Sequence, residues 1–374
     1  MKVLFLIHNL GSGGAEKVLV NLVNNMDTAK NDITVATLFG GGVNEQFLSD
    51  KIKHYSVFPK MIRGNSYLMK LLSPRQLHKL CVKEQYDVEI AYLEGPSSRV
   101  ISGCPDKETK LISWIHVEQH NMKKVAGSFR SEKEALSCYN RFDQVVCVSK
   151  FVKEDFTKIL NYKKPVTVLY NTIESEKIRT SSLEPVSEMD SPAEKKLIAV
   201  GTLKASKGYM RLLEIIRKLK EEHSIHLYIL GVGPLEKEMK KYINENNLNE
   251  NVTLLGYKTN PYKYVAKSDL LVCASYAEGF STAVSEALIV GTPVCTVNVS
   301  GMTELLGENS EYGLITDNSE QSLCQGIQTL IENDELLNHY AVQAAERGKM
   351  FETSMTVEAV EKMLDKVHKG DYQC

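Results

Sequence analysis

The chain has no Cys-x-x-Cys pair, no Asp-x-Asp and a single tryptophan among its 374 residues. Its eight cysteines (81, 104, 138, 147, 273, 295, 324 and 374) are scattered. That spacing excludes a zinc knuckle and a dense disulfide framework. Without Asp-x-Asp there is no obvious paired carboxylate to hold a divalent cation beside a phosphate. No stretch approaches the roughly 18 to 20 apolar residues of a membrane-crossing helix. The first apolar run, Val3–Ile7, is too short for a signal peptide and is followed at once by Asn9 and Gly11. A soluble protein of a reducing compartment is expected. Large net charge is missing too: 45 Lys+Arg against 47 Asp+Glu give −2, which argues against a nucleic-acid partner.

What is present is ordinary globular composition, 43% hydrophobic and 25% charged, at a length that suits two domains. The charge is unevenly spread. Residues 1–180 hold 26 basic and 19 acidic groups (+7), and the remainder 19 and 28 (−9). The first half is therefore the half suited to something anionic.

Short apolar runs alternate with helical periodicity along most of the chain. Lys2–Ile7 reads as a buried strand, Glu16–Met26 as a helix and Ile33–Leu38 as the next strand. Val88–Tyr92, Leu111–Ile115, Val145–Val148 and Val166–Tyr170 continue the pattern. Residues 179–196 are polar, hold two prolines and lack periodicity, as a linker would. The alternation restarts at Leu197–Val200 and runs through Ile225–Leu230, Val252–Leu255, Leu270–Ala274 and Pro293–Val297, with a helix near Thr282–Val290. The fold class is α/β: two Rossmann-like domains, 1–180 and 195–354, each a parallel sheet covered on both faces. The helix 355–374 is expected to join the first domain. Ligands are expected in a cleft that both domains face with the carboxyl ends of their strands.

Three loops carry the candidate chemistry. Gly11–Glu16 (GSGGAE) lies between a strand and a helix, where backbone N–H groups can approach a phosphate or a sugar. A dinucleotide fingerprint or a plain structural turn are the alternatives. The fingerprint lacks its third glycine, since Glu16 stands there, and no acid closes the second strand. Val200–Gly208 (VGTLKASKG) puts lysines after another strand. Glu278–Leu288 (EGFSTAVSEAL), followed by Gly291-Thr292-Pro293, sets two glutamates eight positions apart around a helix start. That start can hold a phosphate or sugar hydroxyl, with Glu286 reaching a diol from the next turn. An amphipathic helix with an acidic entrance is the plainer reading.

Together these segments resemble the retaining glycosyltransferases of family 4, of GT-B fold and bacterial polysaccharide type. The matching features are Gly13-Gly14-x-Glu16, the V-G-x-L-x-x-x-K-G loop at 200–208, Gly231-x-Gly233-Pro234, the two glutamates, Gly291-Thr292-Pro293 and Asn171. The resemblance covers essentially the whole chain. It implies a hexosyltransferase with no cofactor and no metal, and a nucleoside-diphosphate sugar, UDP-linked, as donor substrate. By that resemblance Glu278, His116 and Lys207 are the catalytic residues. Glu278 contacts the sugar, Lys207 neutralises the diphosphate and His116 sits beside the transferred sugar. Gly13, Gly14, Thr202, Tyr257, Gly279, Phe280, Ser281, Thr282 and Glu286 complete the donor site, Glu286 on the ribose and the backbone at Tyr257 on the base. Glu16 and Asn171 fall to the acceptor or to the domain boundary. Many relatives carry arginine where Thr202 stands, so a second cation on the diphosphate would have to come from Arg211 or Lys204. That departure leaves a non-catalytic partner subunit as one alternative, and a GT-B sugar-nucleotide epimerase is the other.

Two further features are weighed on their residues. His116, Glu118 and His120 would alternate onto one face of a strand and could ligate a cation, but the strand is expected to end at Ile115. Lys51–Lys83 holds eight basic residues, no acid, and interleaved Met61, Ile62, Tyr67, Leu68, Met69, Leu71 and Leu72. It suits either an anionic membrane surface or a solvated helix face. A glycan or lipid-linked acceptor, and a cytoplasmic enzyme peripheral at the inner membrane face, are the matching expectations.

Overall fold

The computed structural model describes residues 1–11, 13–61, 64, 69–278, 280–299 and 301–371. The chain forms two compact units, Met1–Ile173 with Thr353–Cys374, and Glu174–Glu352.

The first unit holds a seven-stranded sheet of order β3-β2-β1-β4-β5-β6-β7. Its strands are β1 (Lys2–Ile7), β2 (Asp32–Phe39), β3 (Lys53–Phe58), β4 (Val88–Ala91), β5 (Lys110–Ile115), β6 (Gln144–Cys147) and β7 (Val166–Val168). All pair in parallel, with β1 between β2 (Val3↔Ile33) and β4 (Val3↔Val88). Val3–Ile7 are fully buried, as continuous apolar character requires of a strand covered on both faces. The helix Thr353–Lys369 belongs here. It buries Val357, Val360, Met363, Leu364 and Val367. Its Glu361 accepts from the Asp27 N–H (2.7 Å), and Thr353 donates to the Ile173 carbonyl (2.8 Å).

The second unit holds a six-stranded parallel sheet of order β10-β9-β8-β11-β12-β13. Its strands are β8 (Lys195–Val200), β9 (Ile225–Leu230), β10 (Val252–Gly256), β11 (Leu270–Cys273), β12 (Val294–Val297) and β13 (Leu314–Thr316). The helices Tyr209–Leu219 and Glu320–Glu332 pack Leu212, Leu213, Ile216, Leu323 and Ile327 into one core with β8, β9 and β11.

Three expectations need correction. The unit boundary falls after Ile173 rather than at 180, and the returning helix begins at Thr353. The segment expected as a linker, 179–196, is packed chain. Ser175–Ser182 is helical, Glu188 pairs with Lys258 (2.5 Å), and the Ser191 N–H donates to the Tyr228 hydroxyl (3.2 Å). Several of its polar groups pair within the second unit, although about half of the segment remains exposed. The basic stretch also begins as a strand. β3 is an edge strand whose Lys53 and His54 are exposed, which hid its periodicity.

Candidate active site

The second sheet reverses its winding between β8 and β11, and open α/β sheets hold ligands outside the carboxyl ends of such a pair. The loop after β8 runs through a turn of 3₁₀ helix, Ala205–Lys207, to Gly208, which enters the helix Tyr209–Leu219 at φ +67°. A side chain at 208 would meet the Ala274 carbonyl at 1.9 Å, so glycine is required there. The loop after β11 carries Ser275 and Glu278, and then Ser281, whose hydroxyl caps the helix Thr282–Val290 by accepting from the Val284 N–H (3.4 Å).

The two loops meet at one carboxylate. Glu278 Oε1 accepts from Lys207 Nζ (2.5 Å) and from Ser275 Oγ (2.5 Å), with Cys273 Sγ at 4.0 Å. The donors gather on that oxygen rather than on Oε2. Lys207, Tyr209, Cys273, Ser275, Glu278 and Ser281 line a small crevice here. A cation, a held carboxylate and the free N–H groups of a helix start are the elements needed to take a sugar phosphate.

Arg211 cannot supply a second cation. Its guanidinium is buried, donates to the Ala274 and Ser275 carbonyls and to Asn318 Oδ1 (2.8 Å), and stacks 4.2 Å over the Tyr276 ring. It braces the loop that carries Glu278. Lys204 and Thr202 are exposed on the β8 loop. Glu286 is buried within its helix, and Phe280 is buried edge-on to Phe351 (6.1 Å). Tyr257 stands exposed (71%) after Gly256, at the end of the edge strand β10. Gly279 lies outside the described residues.

The first unit reverses between β1 and β4. After β1, Gly13 caps the helix Gly14–Asn25, and a side chain at 13 would lie 2.1 Å from the Glu16 carboxylate. Glu16 therefore folds back over the helix start, and burial raises its pKa. After β5, the His116 N–H donates to Glu94 (2.9 Å), and its ring lies 4.8 Å from Tyr92. Burial pushes the imidazole down to about 3, so it is neutral at ordinary pH. Asn171, after β7, is buried with Oδ1 unpartnered among the described residues.

His116 lies beyond the end of β5, so it does not alternate with Glu118 and His120 as strand neighbours would. Glu118 and His120 come near Asp155 instead. Asp155 accepts from the backbone N–H of Gln119 (2.5 Å) and His120 (3.1 Å), a loop brace. Sequence reasoning missed Ser275, Glu94 and the clamp by Arg211. An acid or serine just past an apolar strand run was the available signal for the first two.

Comparison with known proteins decides the family. Residues 187–347 match the model "Glycosyl transferases group 1", and residues 12–177 match "Glycosyltransferase Family 4". The chain is 31% identical over 355 residues (92% of this chain, 94% of the relative) to a Campylobacter jejuni enzyme. That enzyme is N-acetylgalactosamine-N,N'-diacetylbacillosaminyl-diphospho-undecaprenol 4-alpha-N-acetylgalactosaminyltransferase. The chain belongs to the family 4 glycosyltransferases. A second C. jejuni alpha-1,4-N-acetyl-D-galactosaminyltransferase, acting on a GalNAc-containing diNAcBac-PP-undecaprenol, is 24% identical over 98% of this chain and 99% of its own. The GT-B fold is shared with the Anabaena protein HepE in complex with UDP, at a TM-score of 0.79 and 19% identity, over 98% of this chain and 100% of that one. The protein is thus a GT-B glycosyltransferase, with two Rossmann-like units as expected.

Proposed function

We propose that the enzyme transfers an N-acetylhexosamine from a UDP-linked donor to a polyprenyl-diphosphate-linked saccharide, with retention of configuration and without a metal, in cell-surface polysaccharide or glycolipid synthesis. The observation that carries this reading is the meeting of Lys207 and Glu278 on one crevice at the switch point of the second sheet. The acceptor class is supported by the two Campylobacter relatives, whose substrates are undecaprenol-linked. Glu278 Oε2 positions the sugar, Glu286 takes the ribose, and Lys207 with the N–H groups of the helix start at Thr282 takes the charge of the leaving diphosphate. The acceptor hydroxyl attacks from the face the diphosphate leaves, and a diphosphate oxygen receives its proton. No carboxylate nucleophile is needed.

The test is a transfer assay with a panel of UDP-sugars and an undecaprenyl-diphosphate-linked disaccharide, read by mass spectrometry and by anomeric NMR of the product. An α-linked N-acetylhexosamine product is expected, at a rate unchanged by EDTA. Loss of turnover in EDTA that Mn²⁺ restores overturns metal independence. Absence of product with every donor favours a partner subunit, and an altered donor sugar without acceptor favours an epimerase.

The first unit is the proposed membrane-facing part. Among the described residues no helix is long and apolar enough to cross a membrane. Lys51, Lys60, Arg75 and Lys79 are exposed, as are Met61, Leu71 (75%) and Leu80. Arg99 and Arg130 grip the carbonyls of residues 69–72, which holds Leu71 outward. Lys53 is instead paired with Asp32 (2.8 Å), and Lys83 lies over the Tyr55 ring. Ile62, Arg63, Tyr67 and Leu68 lie outside the described residues. At about 1 kcal/mol per cation near an anionic surface, three or four of these give reversible attachment. Sedimentation with phosphatidylglycerol vesicles is expected at low salt, to fall with added salt, and to weaken when Lys70, Arg75 and Lys79 become Glu. Indifference to such vesicles at low salt removes the membrane reading.

A further inference from the structure

The two sheets share a plan. In each, the chain reverses its winding between the first strand and the neighbour on its far side, β1 with β4 and β8 with β11. In the second unit, the loop after β11 brings Glu278 to this point. In the first unit the corresponding loop follows β4, and three positions beyond Ala91 it carries Glu94.

Glu94 is built in as a fixed carboxylate. Oε2 accepts from the His116 N–H (2.9 Å), and the Gln119 side chain also favours the charged form. Yet among the described residues it makes no ion pair. Lys124, the cation whose charge acts on it, donates instead to the Glu118 carbonyl (2.6 Å). Burial raises the pKa of the group, the mark of a carboxylate whose surroundings compensate its charge incompletely.

Two ring nitrogens at the neighbouring strand ends have no hydrogen-bond partner among the described residues: Nε2 of His116, buried beyond β5, and Nδ1 of His8, directly after β1. Burial disfavours the charged form of both rings. Three adjacent strand ends, β1, β4 and β5, thus carry a carboxylate and two imidazoles, each ring with one nitrogen unbonded among the described residues, at the place where this kind of sheet holds ligands. Neutral donors that bond a carboxylate and an imidazole together are what a sugar ring offers through its hydroxyls.

We propose that Glu94 is a sugar-binding residue that accepts a hydrogen bond from a ring hydroxyl of the acceptor saccharide, within the first unit. That the saccharide is the acceptor rests on the transferase reading above; the site itself does not depend on donor chemistry.

The test uses the full chain and saturation-transfer NMR with methyl N-acetyl-α-D-galactosaminide and UDP in one sample. Wild type is expected to saturate both. Glu94→Gln is expected to lose about ten-fold or more of its affinity for the glycoside, as for loss of a charge-assisted bond, while the UDP signal stays. Thermal melting checks that the variant folds. If it does not, Glu94→Asp keeps the charge, withdraws it by one methylene, and is expected to weaken the glycoside signal in the same way. An undiminished glycoside signal in the variant, or none from wild type at millimolar glycoside, overturns the proposal. Loss of the UDP signal from wild type strikes instead at the donor reading and leaves the glycoside comparison readable.

Discussion

Replacing Glu278 by Gln is expected to slow transfer by about 100- to 1,000-fold while UDP affinity stays the same or rises. The carboxylate is held by Lys207 and Ser275 on one oxygen, which fixes the direction of the other, the oxygen proposed to meet the sugar. An amide keeps the shape but loses the charge that stabilises developing positive charge on the sugar. It also releases Lys207, which then has the diphosphate as its natural partner. Binding and turnover should therefore move apart. Ser275→Ala, which removes one donor only, is expected to fall between wild type and Glu278→Gln. Steady-state rates with calorimetric UDP titration check both. Turnover within about three-fold of wild type, or UDP binding weakened ten-fold, would remove Glu278 from the sugar.

Arg211→Ala is expected to cost about 2–4 kcal/mol of stability and to lower activity beyond what the remaining folded fraction explains. The substitution strips a charged donor from two backbone carbonyls, Ala274 and Ser275, and from Asn318, and it removes the stack on Tyr276. Those carbonyls belong to the loop that sets Glu278. Arg211→Lys keeps the charge without the planar fork and is expected to recover only part of the loss. Urea unfolding measures the first effect, and turnover at a temperature where the variant is folded measures the second. A stability loss below about 1 kcal/mol would show that the clamp is redundant.

The alternation of buried strands and helices was legible because parallel strands covered on both faces must be continuously apolar. β1 and the helix Thr282–Val290 stand where the sequence places them. Strand β3 was not legible, since an edge strand that begins with an exposed lysine and histidine carries no such signature. Lys207 and Glu278 were found through the resemblance, but their pairing was not, because 71 positions separate them. Arg211 shows the limit most clearly. Chemical type alone offered it as a spare cation for the diphosphate, and only its burial against carbonyls reveals a brace. Glu94 was passed over because one acid after a strand looks like any surface acid until its neighbours are seen.

The return of the helix Thr353–Lys369 to the first unit sets an order of events during synthesis. Residues 174–352 are contiguous, so every internal contact of the second unit is available before the helix Thr353–Lys369 has been made. The first unit has its sheet early, but the apolar surface that will receive Val357, Val360 and Leu364 stays uncovered until residues 353–369 leave the ribosome. The first unit is thus completed only after the second. A nascent chain stalled before residue 353 would present a complete second unit beside an open flank on the first, a ready target for a chaperone.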